Sequence, residues 1–518
     1  MQQDIQDIWK GFFDNDHKTV INKTSKVLAD TLAADHLHLS GLSLLALGHI
    51  DDALARLRAS VSLSPIPQWF SNAAITSLNA GATDASLTFA KDGAKRFPND
   101  PVLHFATGNA LMSGGDLEQA MESYKTAIKL EPTMNDVRLN MGNCYRRMNL
   151  ADDAMVCYDA VLAADPSNGS ALINRVGCLM EMGDDRPAEI VLSRMLAEKD
   201  VPEVAFMLSL IRLADGDFLE GWKLYRRRWD CAMAAPDRNR FTKPLLPTLA
   251  DAAGKHILVG HEQGFGDSLQ FVRYVPLLVA HARKVTILVP QPLVRLFQPI
   301  DPRVPVVSTP EAAGPYDYEV PLLDIPHLMG TTVDTIPANI PYFTVPDAVV
   351  QHRKLPETNA KIRVGLVWAG QLRPNPDLAA VDRRRSLNLA QLAPLFDVPD
   401  VEFVSLQIGD PTAQIAEVPY GARMLQPLEN GFDFMDTAAI IKQLDLVISV
   451  DTAVAHLAAG LGVPTWVFSR FDGCWRWLRN REDTPWYPAM RLFQQKARHD
   501  WSYPISAMTQ TLREFKTA

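Results

Sequence analysis

Leu444-Asp445-Leu446-Val447-Ile448-Ser449-Val450-Asp451-Thr452-Ala453-Val454-Ala455-His456-Leu457-Ala458-Ala459 runs an apolar segment of strand length directly into a helix of small residues, with no room for a loop between them. The first backbone N–H groups of such a helix lack intrahelical partners and sit at the positive end of its dipole, so the junction suits a phosphate. An ordinary βα unit whose Asp451 caps the helix has the same local pattern. The surrounding chain has to decide between them.

Outward from this stretch, short apolar runs alternate with helical ones from Pro236 onward. Ile257-Leu258-Val259, Val285-Thr286-Ile287-Leu288-Val289 and Val304-Pro305-Val306-Val307 read as buried parallel strands. After a proline-rich, polar connector from Pro337 to Thr358, the alternation restarts at Ile362-Arg363-Val364-Gly365-Leu366-Val367-Trp368. It continues through Val401 to Leu406, Leu444 onward, and Thr465 to Phe468. Two doubly wound α/β domains in tandem are expected, residues 236–345 and 346–518, with ligand in the crevice outside the carboxyl ends of their strands.

Each strand end is therefore a candidate site. Gly264-Phe265-Gly266-Asp267 follows the first strand and leads into a helix expected over Leu269 to Leu278. It lacks the third glycine of a dinucleotide fingerprint and the Lys-Ser/Thr of a phosphate loop. Asp267 suits a helix cap or a catalytic carboxylate equally, and His261 and Glu262 have the same standing. In the second domain Gly370 is followed by a loop with Arg373 and then Arg383-Arg384-Arg385-Ser386, which can pair with phosphate or form a solvated face. The Gln407 amide, at the next strand end, can recognise a base edge. The aromatic and arginine density from Phe468 to Pro488 fits stacking on a sugar or base, or a wedge holding the carboxyl-terminal tail.

The other half repeats. Gly108, Ala120, Tyr124, Ala127 and Pro132 recur 34 residues later as Gly142, Ala154, Tyr158, Val161 and Pro166. Small residues let two antiparallel helices approach, an aromatic fills the gap, and proline stops the second helix. Gly177, Ala188 and Leu192 carry the pattern on; Ala74, Gly81, Ala90 and Pro98, and before them Gly41, Ala53, Leu57 and Pro65, precede it. A weaker unit is placed near Ile5, and Gly216 through Trp229 forms a modified last one. The pattern resembles the tetratricopeptide repeat and implies a helical solenoid over residues 1–235, whose concave face suits an extended partner. Asp215-Gly216-Asp217 falls on a turn between repeat helices, and His36 and His38 read as surface or packing residues.

Composition is that of an ordinary globular chain: 518 residues, 47% hydrophobic and 21% charged. A net charge of −9 argues against a general nucleic-acid or membrane-surface binder. The start, Met1-Gln2-Gln3-Asp4-Ile5, lacks the regions of a signal peptide, and no apolar run is long enough to span a bilayer, so a cytoplasmic location is expected. Five cysteines without a C-x-x-C pair suggest neither a disulfide framework nor a zinc site.

Taken together, Gly264-Phe265-Gly266-Asp267, Val364 to Gly370, Ser405-Leu406-Gln407, Asp436-Thr437-Ala438-Ala439, Val450 to Ala458 and Trp475-Arg476-Trp477 resemble the heptosyltransferase-like bacterial glycosyltransferases fused to tetratricopeptide repeats. The resemblance covers the whole chain. It implies a tetratricopeptide α-solenoid followed by a GT-B enzyme of two Rossmann-like domains, acceptor side first. Asp267 then matches the proposed general base of an inverting, metal-independent transfer, with no cofactor beyond a nucleotide-sugar. Gln407 falls near the base, and Asp451, Thr452, Ala453 and His456 near the sugar and phosphates. A lysine expected after the Gly-x-x-Trp strand is missing, and Arg373 or the cluster from Arg383 to Arg385 stands in its place. The architecture also resembles protein O-linked N-acetylglucosamine transferases, implying a protein acceptor with serine or threonine hydroxyls, flagellin or another surface protein. A lipopolysaccharide or polysaccharide transferase and a non-catalytic nucleotide-binding scaffold are the alternatives.

Overall fold

A computed structural model of the chain describes residues 8, 10–30, 34–231, 238, 240–428 and 431–515. The start of the weak unit near Ile5 and the expected boundary at Pro236 lie outside the described residues. The chain forms two compact units, Met1–Cys178 and Leu179–Ala518.

The first unit is a stack of antiparallel helix pairs: Ala34–Ala46 with Ile50–Leu63, Pro67–Asn79 with Thr83–Arg96, Pro101–Gly114 with Leu117–Leu130, and Asn135–Arg147 with Ala151–Ala164. One pair shows how sequence sets the geometry. Asp100 caps Pro101–Gly114 by accepting the Val102 and Leu103 N–H groups at 2.9 and 3.1 Å, and Pro101 occupies the first turn, where no N–H is needed. Gly115, at φ 88°, ends the helix in the left-handed conformation. Inside the pair, a Cβ on Gly108 would lie 2.4 Å from the buried Tyr124 ring, and one on Gly142 2.5 Å from Tyr158. The recurring glycines are thus the contact points of the solenoid. His36 and His38 are both buried, and His38 stacks on Trp69 at 5.1 Å.

The second unit begins with the end of the repeat pattern, helices Asp185–Glu198, Pro202–Ala214 and Phe218–Tyr225, and continues into two parallel sheets. The first sheet has the order β3-β2-β1-β4, with β1 His256–Gly260, β2 Lys284–Leu288, β3 Val306–Val307 and β4 Tyr318–Pro321. The second has the order β6-β5-β7-β8-β9, with β5 Ile362–Val367, β6 Val401–Ser405, β7 Leu446–Val450, β8 Thr465–Ser469 and β9 Met490–Gln494. Every pairing is parallel, and β1, β7 and β8 are buried along their whole length, as continuous apolar runs require. The chain is therefore a tetratricopeptide-like helical solenoid followed by parallel-sheet α/β structure.

Three local expectations change. Strands β4 and β9 were not expected from the sequence. The helix expected over Leu269 to Leu278 starts earlier and is broken, as Phe265–Phe271, the 3-10 turn Val272–Tyr274 and Val275–Val279. Arg383, Arg384 and Arg385 lie in the last turn of a helix, Pro376–Arg385, and not in a loop; Asn375 caps its start and Pro376 fits its first turn, while cations suit its carboxyl end. Asp215-Gly216-Asp217 is the expected turn between repeat helices, with Gly216 at φ 83°.

Glycine-to-alanine changes at free helix positions stabilise by about 1 kcal/mol. At Gly108 the opposite sign is expected: the new methyl meets an immobilised ring, and Gly108→Ala lowers stability by roughly 1–3 kcal/mol in urea denaturation. A stabilised variant contradicts this packing.

Candidate active site

The strand orders locate the crevices. β1 has β2 on one side and β4 on the other, and β5 lies between β6 and β7, so connections leaving these strand ends diverge and open a gap. The helices that follow β1 and β7, Phe265–Phe271 and Ala453–Gly460, pack against each other. Gly266 lies at their contact, where a Cβ would come 3.1 Å from His456 Cδ2 and 3.5 Å from Ala453 Cα. The Gly264–Asp267 turn therefore faces the Asp451–Ala453 turn.

Asp267 is held from both sides. Its Oδ2 accepts the Gly264 N–H at 3.0 Å, closing the first helical turn, and its Oδ1 accepts from Nη2 of Arg476. Arg476 lies over the Trp475 ring at 4.3 Å, with Nη1 3.5 Å from Cys474 Sγ. Burial opposes its charge, but the Asp267 carboxylate acting together with Cys474 and Tyr225 more than offsets it, so the guanidinium stays protonated with its pKa raised. His456 is buried with Nδ1 3.0 Å from the Tyr487 hydroxyl and its ring stacked on Trp477 at 5.1 Å. Burial pulls its pKa down to about 4, so the imidazole is neutral near pH 7.

The other two candidate carboxyl-side groups differ in surroundings. His261 is buried with Nδ1 2.6 Å from the Ser268 hydroxyl. Glu262 turns toward the last repeat: its oxygens take Arg228 Nε at 3.0 Å and Nη2 at 2.7 Å, and Oε1 also accepts the Leu323 N–H at 3.0 Å. Arg228 Nη2 also reaches Asp324 Oδ1 at 2.7 Å. Burial pushes the Glu262 carboxyl up, against the pull of Arg228. Glu262 thus anchors the 3-10 turn Arg226–Asp230 to the first sheet, whereas Asp267 reaches Arg476 in the segment after β8.

In the second sheet Gln407 is saturated by backbone. Its Oε1 accepts the Trp368 and Ala369 N–H groups at 3.1 and 2.9 Å, and its Nε2 donates to the Ala369 and Ile408 carbonyls, both at 3.0 Å. It clasps the ends of β5 and β6 and shapes the loop backbone there. Arg373 pairs with both oxygens of the fully buried Asp382 at 2.9 Å, and Arg385 with the same carboxylate at 2.8 Å. Arg385 Nη1 also donates to the Asp451 carbonyl at 2.9 Å, bringing the end of helix Pro376–Arg385, and with it Arg383, beside the Asp451–Thr452–Ala453 turn. Thr452 Oγ1 lies 3.0 Å from Ser449 Oγ. The sequence alone points neither to Asp382 nor to the Arg476–Asp267 contact; an arginine set between two tryptophans is the available signal.

A second candidate surface lies in the first unit. Asn140 Nδ2 donates to Asn109 Oδ1 at 2.8 Å, Asn143 Nδ2 to Asn140 Oδ1 at 3.3 Å, and Asn174 Nδ2 to Asn143 Oδ1 at 2.9 Å. The Tyr124 and Tyr158 hydroxyls donate to Asn109 and Asn143. This line of half-buried amides crosses successive repeats.

Residues 108–149 match the TPR repeat family. Protein FlbA of Caulobacter vibrioides is 27% identical over 428 residues, 77% of this chain and 70% of FlbA. That share exceeds the repeat region, so the similarity runs on into the α/β half. Among solved structures, a tetratricopeptide repeat protein from Parabacteroides merdae is 13% identical, with a TM-score of 0.40, over 46% of this chain and 95% of its own. TTC0263, a TPR protein of Thermus thermophilus, is 22% identical, with a TM-score of 0.29, over 35% and 100%. Among the described residues no helix is long and apolar enough to cross a membrane.

The buried His456 makes a pH prediction. Its ordinary pKa of 6.5 applies to the unfolded chain, against about 4 in the folded one, so between these values the unfolded chain binds the extra proton. Its contribution is complete above pH 6.5 and is lost as the pH falls through 4. Urea midpoints measured across this range should fall less steeply for His456→Gln than for the native sequence; parallel slopes would contradict a neutral, buried imidazole.

Proposed function

We propose that the chain is an inverting, metal-independent glycosyltransferase of GT-B architecture that moves a sugar from a nucleotide-sugar to serine or threonine hydroxyls of a protein acceptor, flagellin or another surface protein. What carries the reading is the juxtaposition of the two strand-to-helix turns, with Asp267 on one and the amino end of helix Ala453–Gly460 on the other. The acceptor oxygen attacks the anomeric carbon opposite the leaving group, and its proton passes to the Asp267 carboxylate. The bond from that carbon to the phosphate oxygen breaks, its electron pair leaving with the nucleotide. Backbone amides near Thr452 and Ala453, with cations of the second sheet, meet the developing charge. Arg383 and Arg385 lie on the nearby helix end, Arg373 braces Asp382, and Gln407 acts through the loop it clasps. Neutral His456 positions the turn without adding charge. The amide line from Asn109 to Asn174 offers donors and acceptors to the backbone of an extended acceptor.

One observation favours a second reading, a non-catalytic scaffold: Arg373 and Arg385 share Asp382, and Asp267 is already paired with Arg476. Two measurements separate the readings. Unfolding temperature against millimolar UDP, GDP, ADP, CDP, CMP and TDP should rise with one nucleotide class, and Asp267→Asn should lower transfer by roughly 10²–10⁴-fold. A flat panel with no transfer favours the scaffold. Asn109→Ala with Asn143→Ala should reduce modification of protein while donor hydrolysis persists; equal modification of a lipid-linked acceptor would instead point to polysaccharide assembly.

A further inference from the structure

Most cations around the second sheet's strand ends are tied to carboxylates that have no part in the proposed chemistry. Arg373 and Arg385 hold Asp382, and Arg384 and Arg470 hold Asp472. Arg476 is different. Its hydrogen bonds go to Asp267, the candidate base, and to the Cys474 sulfur, a weak acceptor. Its mostly covered side chain lies over Trp475, on a short 3-10 turn, Trp475–Trp477. The turn sits within the same core as Phe271 and Trp222, and its Trp477 carries the His456 ring.

This pairing sets a problem of charge balance. When Asp267 accepts a proton, the mostly covered guanidinium loses its counter-charge, which is costly unless another anion replaces it. Over the same step negative charge gathers on the leaving phosphate. We propose that Arg476 is a shared ligand that exchanges Asp267 for the diphosphate of the donor and so frees the carboxylate as negative charge builds on the leaving group. The inference rests on the glycosyltransferase reading and adds to it a named residue and a diphosphate, rather than monophosphate, donor. The bonds made and broken are those of the transfer step above. Arg476 stays protonated throughout and only its partner changes.

Calorimetric titration of the full chain with UDP, GDP, ADP, CDP, TDP and inorganic pyrophosphate tests it. The native protein should bind a diphosphate; Arg476→Gln should weaken that binding roughly 10–100-fold. Asp267→Asn should tighten it roughly fivefold, because the guanidinium no longer has a competing partner. In the Arg476→Gln background, Asp267→Asn should change nothing. Unfolding temperatures of the variants confirm that each is folded. Native binding with an unchanged or weakened Asp267→Asn makes the ion pair structural and overturns the exchange alone. Equal tightening in both backgrounds assigns the effect to direct repulsion by Asp267, again overturning it. If the native chain binds CMP alone, the donor is a monophosphate and the exchange falls while the transferase reading stands. If it binds no nucleotide, both fall together.

Discussion

Trp222 holds the second unit together: its ring meets Phe271 at 5.7 Å and Trp475 at 5.3 Å, edge to face in both cases. Phe218, one helical turn earlier, meets Trp486 at 5.9 Å. One apolar core thus contains the final repeat helix, the helix after β1 and the segment after β8. The site geometry follows from it. Trp475 must be fixed for Arg476 to reach Asp267, and Trp477 must be fixed for His456 to stay dry. The aromatic density between Phe468 and Pro488 is therefore largely an internal joint. Trp477, Trp486 and Tyr487 are buried, which favours the wedge over a stacking platform for ligand.

Ion pairs extend the same joint toward the surface. Arg228 is sandwiched between Tyr225 and Trp229 while it bridges Glu262 and Asp324. Arg479 reaches Asp185 and Asp215 on two repeat turns, both at 3.0 Å. The buried Arg228 pairs contribute modestly when intact and are destabilising when one partner is lost, while the partly exposed Arg479 pairs contribute less. Their effect here is register: they admit one orientation of the last repeat against the strands.

Much of this was legible in the chain. Parallel strands buried on both faces read as near-continuous apolar runs, which is why β1, β7 and β8 stand out, and β5 and β6 show the same run in their inner halves. The spacing of Gly108 and Tyr124 from Gly142 and Tyr158 exposed the repeats for a similarly direct reason, since small and large residues must alternate where helices touch. Strand β4 was hidden because Tyr318-Glu319-Val320-Pro321 carries a buried carboxylate and a proline, and its partners are distant in sequence. At the site, the Gly-Asp turn was visible, but the guanidinium that meets Asp267 lies 209 residues away. Glu262 and Asp267 looked equivalent because the path of the residues between them, Gln263 to Gly266, decides which points to the repeats and which to the second sheet. Gln407 looked free because a side chain that caps its own sheet's loops leaves no periodic trace.

The repeat pattern and the compact units divide the chain at different places, and this bears on modular exchange. Helices Pro202–Ala214 and Phe218–Tyr225 have the spacing of solenoid units but share their apolar surface with the sheets. A hybrid that receives a foreign repeat array at residue 235 would strip Trp222, Phe218 and Arg228 from the half it means to keep. Spliced ahead of Leu179, the same exchange leaves that core whole. New solenoids can then be recombined with this α/β half in the way interchangeable binding modules are, with the last repeats retained as a built-in adaptor.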